Sequence, residues 1–172
     1  MSLVMVKNAS MLKNGPMLKW LWITLVVVIV DLATKAVISN NFVLYESVSV
    51  LSGFFNLTLA HNYGAAFSFL ADQPGWQRWF FTITSIVISL VLLYWLKTLK
   101  AEEKMLAIGL VLVLGGAIGN LWDRITLGYV VDFLDVYYQQ WHWPAFNVAD
   151  SAICIGAVLL ILDSFLAKEK DK

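Results

Sequence analysis

Four long apolar runs dominate the pattern of the chain, at about residues 18–38, 76–96, 105–122 and 147–166. Each approaches the ~20 apolar residues that an α-helix needs to cross a bilayer, so the pattern predicts four transmembrane helices. Trp20 and Trp22 open the first run, Trp76 and Trp79 open the second, and Tyr94 and Trp95 close it. Amphipathic rings settle at such membrane boundaries. The first run has a lysine before its apolar core, but no small-x-small cleavage site follows and three more runs do, so it reads as a retained anchor.

Between the runs the periodicity changes. Residues 39–75 are too long for a simple connection, and Val48–Leu59 and Phe67–Leu70 are rich in β-formers with partial alternation, bounded by turn signals at Gly53, Asn62, Gly64 and Pro74-Gly75. They predict a small sheet on the outer membrane surface. Residues 97–104 make a short lysine-rich turn, and residues 123–146 form a second outer segment with a strand-like stretch around Val130-Val131-Asp132-Phe133. Residues 1–17 are expected to be a flexible cytoplasmic leader and residues 18–172 a single integral-membrane domain, with no internal repeat or low-complexity tract.

Composition agrees with the pattern. The chain is 60% hydrophobic and 14% charged, with a mean hydropathy of +0.74, which is more apolar than a soluble domain. Its net charge of zero hides a strong asymmetry: Lys7, Lys13, Lys19, Lys97, Lys100, Lys104, Lys168, Lys170 and Lys172 all fall on one side of a four-span topology. By the positive-inside rule that side is the cytoplasm, so both termini are expected there and both long connections outside. Lys35, Arg78 and Arg124 lie at the other ends of the spans and need local partners. No basic cluster remains for nucleic acid, which is excluded as a partner.

Cys154 is the single cysteine, which excludes an intramolecular disulfide and a multi-cysteine metal site. Within the fourth run it reads as small apolar filler. His61 and His142 fall outside any metal-binding spacing, so neither a metal nor a cofactor is expected.

Ionisable groups in or beside the apolar runs are costly to bury, which makes them candidates for chemistry. Asp31 and Lys35 stand one helical turn apart in the first run, either as a self-neutralising pair or with Asp31 holding a loop beside a site. Asn62-Tyr63-Gly64-Ala65-Ala66-Phe67 lets backbone approach a ligand closely, or is only a turn. Gly115-x-x-x-Gly119 is a helix-packing surface. Among the remaining acids, Glu46 and Asp72 read as solvated, Asp163 as snorkelling, and Asp123 as an ion-pair partner of Arg124. Asp123, Asp132 and Asp150 fall near the outer ends of the third and fourth runs, where they converge if those helices are neighbours.

Asp150 follows Asn147, a good N-cap, so it lies in a helical first turn that favours an anion. Asp132 lies among apolar residues, where desolvation favours the protonated form. Two carboxyl groups pushed in opposite directions suit acid–base hydrolysis of a peptide bond, with Asn120 and Asn147 as hydrogen-bonding support. The bland alternative is a helix cap and an unrelated solvated acid.

Five blocks together closely resemble the bacterial lipoprotein signal peptidases, or signal peptidase II: Asp31-x-x-x-Lys35, Asn62-x-Gly64-Ala65-Ala66-Phe67, Gly115-Gly116-Ala117-x-Gly119-Asn120-x-x-Asp123-Arg124, Val130-Val131-Asp132-Phe133 and Phe146-Asn147-x-Ala149-Asp150-Ser151. The resemblance implies a catalytic pair at Asp132 and Asp150, supported by Asp31, Asn62, Gly64, Asn120, Asp123, Arg124 and Asn147. It implies four transmembrane helices, an outer β-cradle and a helix or loop over the site. The implied substrate is a prolipoprotein carrying a diacylglyceryl group on its cysteine, cut just before that cysteine, at the outer face of the bacterial inner membrane. Lipidated precursors and membrane lipid are thus the expected partners, and a monomer the expected state. Two rival readings are a small proton- or ion-coupled carrier relaying charge through Asp31, Lys35 and Asp150, and a non-catalytic factor that binds signal peptides.

Overall fold

A computed structural model describes residues 16–64, 70 and 74–170 of the chain. The leader up to residue 15, Asp72 and most of the expected strand at Phe67–Leu70 lie outside the described residues. A short 3-10 turn, Pro16–Trp20, enters helix α1 (Leu21–Asn41); strands β1 (Ser47–Leu51) and β2 (Phe55–Asn62) follow, then helices α2 (Trp76–Thr98) and α3 (Lys104–Thr126), strands β3 (Val130–Tyr138) and β4 (Trp141–His142), and helix α4 (Val148–Lys170). All four helices are long and apolar enough to cross a membrane. Their exposed apolar residues, such as Leu25, Ile29, Ile83, Leu90 and Ile161, form the surface that lipid covers.

Helix α3 packs against α1, α2 and α4 at once. Lipid tails are as apolar as leucine, so helices associate in a bilayer where small residues let backbones come close. The glycines of α3 are those residues. A side chain on Gly115 would meet Val27 and the Thr24 carbonyl of α1, and one on Gly116 would collide with the Ala149 carbonyl of α4. Further along, Gly156 of α4 leaves no room for a Cβ, which would sit 2.7 Å from the Gly109 carbonyl. Thr24 adds a hydroxyl donor across the α1–α3 contact, 2.8 Å from the Val111 carbonyl.

The strands form one antiparallel ladder in the order β1-β2-β3-β4. Ala60 of β2 stands opposite Asp132 of β3, and Asn62 opposite Val130. A bulge in β2 between Leu57 and Ala60 precedes that register. Ile38 near the end of α1 packs with Leu59, Val131 and Phe133, which fastens the sheet to the helical bundle. At the other end Met17 is buried among Leu92, Leu96, Leu99 and Leu110.

Two expectations change. Helix α3 runs to Thr126, so Asp123 and Arg124 belong to its last turns and are not the start of a loop. Cys154 is exposed on α4, so it is not core filler.

Candidate active site

The start of α4 is held by a reciprocal cap. The Asn147 side-chain oxygen accepts from the Asp150 N–H at 2.9 Å, and the Asp150 carboxylate accepts from the Asn147 N–H at 3.3 Å. Each satisfies a backbone donor that the first helical turn leaves unpaired. Asp31 reaches from α1 to the same turn and accepts from the Ala149 N–H at 2.8 Å. Gly119 makes this reach possible, since a Cβ there would stand 2.6 Å from the Asp31 carboxylate.

Lys35 is the hub beside it. Its ammonium lies 2.8 Å from Asp31 and 3.0 Å from Asp123, and donates to the Asn120 side-chain oxygen at 3.1 Å. With donors fixed at the oxygen of Asn120, its NH₂ points the other way and donates to Asp150 at 2.7 Å. Asn147 closes the link by donating to Asn120, to the Val131 carbonyl and, at 2.7 Å, to Asp132. The second oxygen of Asp132 accepts from Asn62 at 3.0 Å. Asp132 and Asp150 are therefore joined through two amides in one network that draws on α1, α3, α4, β2 and β3.

Four carboxyl groups, Asp31, Asp123, Asp132 and Asp150, gather around two cations, Lys35 and Arg124. Asp132 lies on β3 and is buried. Desolvation, and then the neighbouring charge of Asp150, push its carboxyl up to about 7, against the opposing pull of Asn62, Asn147 and Lys35.

Asp123 does not take Arg124 as its partner. Neighbouring helical residues point about 100° apart, and Asp123 turns to Lys35 and to the Val131 N–H, from which it accepts at 3.1 Å. Arg124 donates instead to the Gly64 carbonyl at 2.9 Å and lies over the Phe81 ring at 5.3 Å. Gly64 is steadied again by its own N–H, which donates to Asn62. Arg78 of α2 also finds a local role, donating to the Arg124 and Ile125 carbonyls, both at 2.8 Å, where the C-terminus of α3 leaves acceptors unpaired.

The sequence pattern pairs Lys35 with Asp31 alone and offers Arg78 no partner. It gives no sign of Asp135, which accepts from Asn56, far away in sequence, and contacts His142, which comes beside it only once β4 pairs back on β3. Among the described residues no group of three or more His, Cys, Asp or Glu side chains is arranged to hold a metal.

Next to this network a largely apolar cavity of about 640 Å³ opens between α2, α3 and α4. Asn120, Arg124 and Asp150 line its polar end, Phe81, Ile88, Val113 and Ile153 its apolar walls, and Cys154 is among its lining residues.

A family model described as signal peptidase (SPase) II matches residues 23–166. The chain belongs to this family. It is accordingly a peptidase, and its four apolar helices make it a multi-pass membrane protein. The lipoprotein signal peptidase of Pseudomonas putida is 55% identical to it over 155 residues, covering 90% of this chain and 91% of that one. That of Photorhabdus laumondii is 51% identical over 153 residues, covering 89% and 91%. A solved bacterial membrane enzyme, determined by the in meso method at 2.3 Å resolution, superposes with a TM-score of 0.81 at 31% identity, covering 93% of this chain and 95% of that one.

Proposed function

We propose that this chain is an aspartyl endopeptidase that removes signal peptides from diacylglyceryl-modified prolipoproteins, cutting just before the lipidated cysteine. The observation that carries the reading is the single network joining Asp132 and Asp150, in which burial pushes the Asp132 carboxyl up to about 7 while Asp150 sits at a helix N-terminus among donors. The relatives in Pseudomonas putida and Photorhabdus laumondii carry the name lipoprotein signal peptidase, which supports the same substrate class.

In the proposed reaction ionised Asp150 takes a proton from water, and the water oxygen attacks the scissile carbonyl carbon. Protonated Asp132 donates to the carbonyl oxygen. The tetrahedral intermediate then collapses as the C–N bond breaks and the nitrogen of the cysteine takes up a proton from Asp150, while Asp132 recovers its own. Asn120, Asn147 and Asn62 orient the carboxyl groups, and Lys35 and Arg124 offset their charge. Asp31 sets the first turn of α4, and Arg124 with Gly64 shapes the entry to the site. No step uses a metal or a cofactor.

The cavity fits such a substrate. Its apolar walls suit the signal peptide and acyl chains arriving from the bilayer, and its polar end brings the peptide bond to Asp150. The enzyme works as a monomer in the bacterial inner membrane, with both termini in the cytoplasm and the carboxyl pair toward the outer face. The carrier reading is less well supported, because the ionisable groups cluster at one end of the bundle.

The test is cleavage of a lipidated precursor by purified protein in detergent. Asp132→Asn and Asp150→Asn are each expected to lower kcat by about 10²–10⁴-fold while the precursor still binds. Near wild-type turnover in either variant would remove that residue from the mechanism.

A further inference from the structure

The stretch from the end of β3 to the start of α4 is a strap that leaves the strand carrying Asp132 and returns to the helix carrying Asp150. It turns at Gln139, whose φ is 57°, and pairs back as β4 against Tyr137 and Tyr138. Its next four residues, Trp143, Pro144, Ala145 and Phe146, form one wall of the cavity beside Asp150. Main-chain bonds hold the two ends of that wall: Trp143 N–H donates to the Val136 carbonyl at 2.8 Å, and Phe146 N–H donates to the Leu134 carbonyl at 3.1 Å.

One side-chain contact fastens the strap from the side. Asp135 is buried on β3, and its two oxygens are divided between Asn56 of β2, whose amide donates at 2.9 Å, and the Nδ1 of His142 on β4, 2.8 Å away. The His142 ring also stacks on Tyr137, with centroids 4.9 Å apart and planes 8° from parallel. The Tyr137 hydroxyl accepts from the Gly53 N–H at 2.8 Å, which ties the arrangement to the β1–β2 turn. Asp135 lies three residues along the strand from Asp132, so the two side chains leave opposite faces of the sheet. The Asp135–His142 contact is thus separate from the network that joins the carboxyl pair, yet it sits at the root of the wall that a precursor must lie against.

We propose that Asp135 and His142 are positioning residues for the precursor: by clamping β4 to β3 they fix the wall from Trp143 to Phe146, and so set how tightly the precursor is held and not how fast it is cut. This rests on the functional reading above. A contact that holds substrate and transition state alike alters KM and leaves kcat unchanged.

The experiment measures kcat and KM for a lipidated precursor with the full chain in detergent, at a pH where the wild type is active. His142→Ala and Asp135→Ala are each expected to raise KM about tenfold, the size of effect that loss of one hydrogen bond to a charged group produces, with kcat within about twofold. His142→Asn, whose amide nitrogen can occupy the place of Nδ1, is expected to bring KM back to within about twofold of wild type. Unchanged KM in both alanine variants, a fall in kcat at constant KM, or failure of the asparagine variant to restore KM while its melting temperature matches wild type would each overturn the proposal. Failure of the wild type itself to cleave the lipidated precursor would overturn the functional reading instead.

Discussion

Asp132 carries the clearest single-residue consequence. Its carboxyl is pushed up to about 7 in the fold, against about 3.9 in an unfolded chain, so folding binds a proton there between those values. The sign follows: its contribution to stability is fully present below about pH 3.9 and is lost as pH rises through about 7. Catalysis should follow the same proton, since a pair that has lost it has no acid to protonate the scissile carbonyl. We expect kcat/KM to fall as pH rises through about 7, approaching tenfold per unit, and the melting temperature to decline across the rise from about pH 4 to pH 7; a rate–pH profile and thermal melts in detergent check both. At this scale much was legible in the chain, because an aspartate beside an apolar run is conspicuous. What could not be read was direction: Asp123 and Arg124 are adjacent in sequence but project to different neighbours, and only the helix phase and the position of α1 decide that Lys35 receives Asp123. Asp135 and His142 gave no signal for the same reason, since each looks ordinary until the strands align.

Among the elements, α3 is the one whose composition is least replaceable. Gly116 and Gly119 leave no room for a Cβ, the first against the α4 backbone and the second against Asp31. Gly119→Ala should cost about 1–3 kcal/mol by overpacking and also displace the carboxylate that accepts from Ala149, so activity should fall further than stability. Loss of folded protein with turnover per folded molecule unchanged would show that only packing was disturbed; melting temperature and specific activity measured together distinguish the two. The spans were legible because an apolar run of bilayer length has few alternatives. Their ends were less so: α1 continues to Asn41, whose amide donates back to the Val37 carbonyl of its own helix, and α3 continues to Thr126, past the apolar residues, with Asp123 and Arg124 finding partners in neighbouring elements. The sheet was legible in outline from β-formers and turn residues, but its register depends on a bulge in β2 that no local pattern announces.

For the whole molecule, lysine placement and helix count together predict an orientation. A reporter fused after residue 172 should read cytoplasm and one inserted near Gln139 should read the outside; the reverse would turn the carboxyl pair away from exported precursors. The three cations outside the lysine-rich side, Lys35, Arg78 and Arg124, all find anions or carbonyls in the fold, so they do not contradict that orientation. Asp31 near the beginning of the chain grips the backbone near its last helix, at Ala149. On the proposed mechanism, a chain without the segment from Ala149 onward lacks both Asp150 and the backbone donor that Asp31 holds, so it is expected to leave a lipidated precursor uncut.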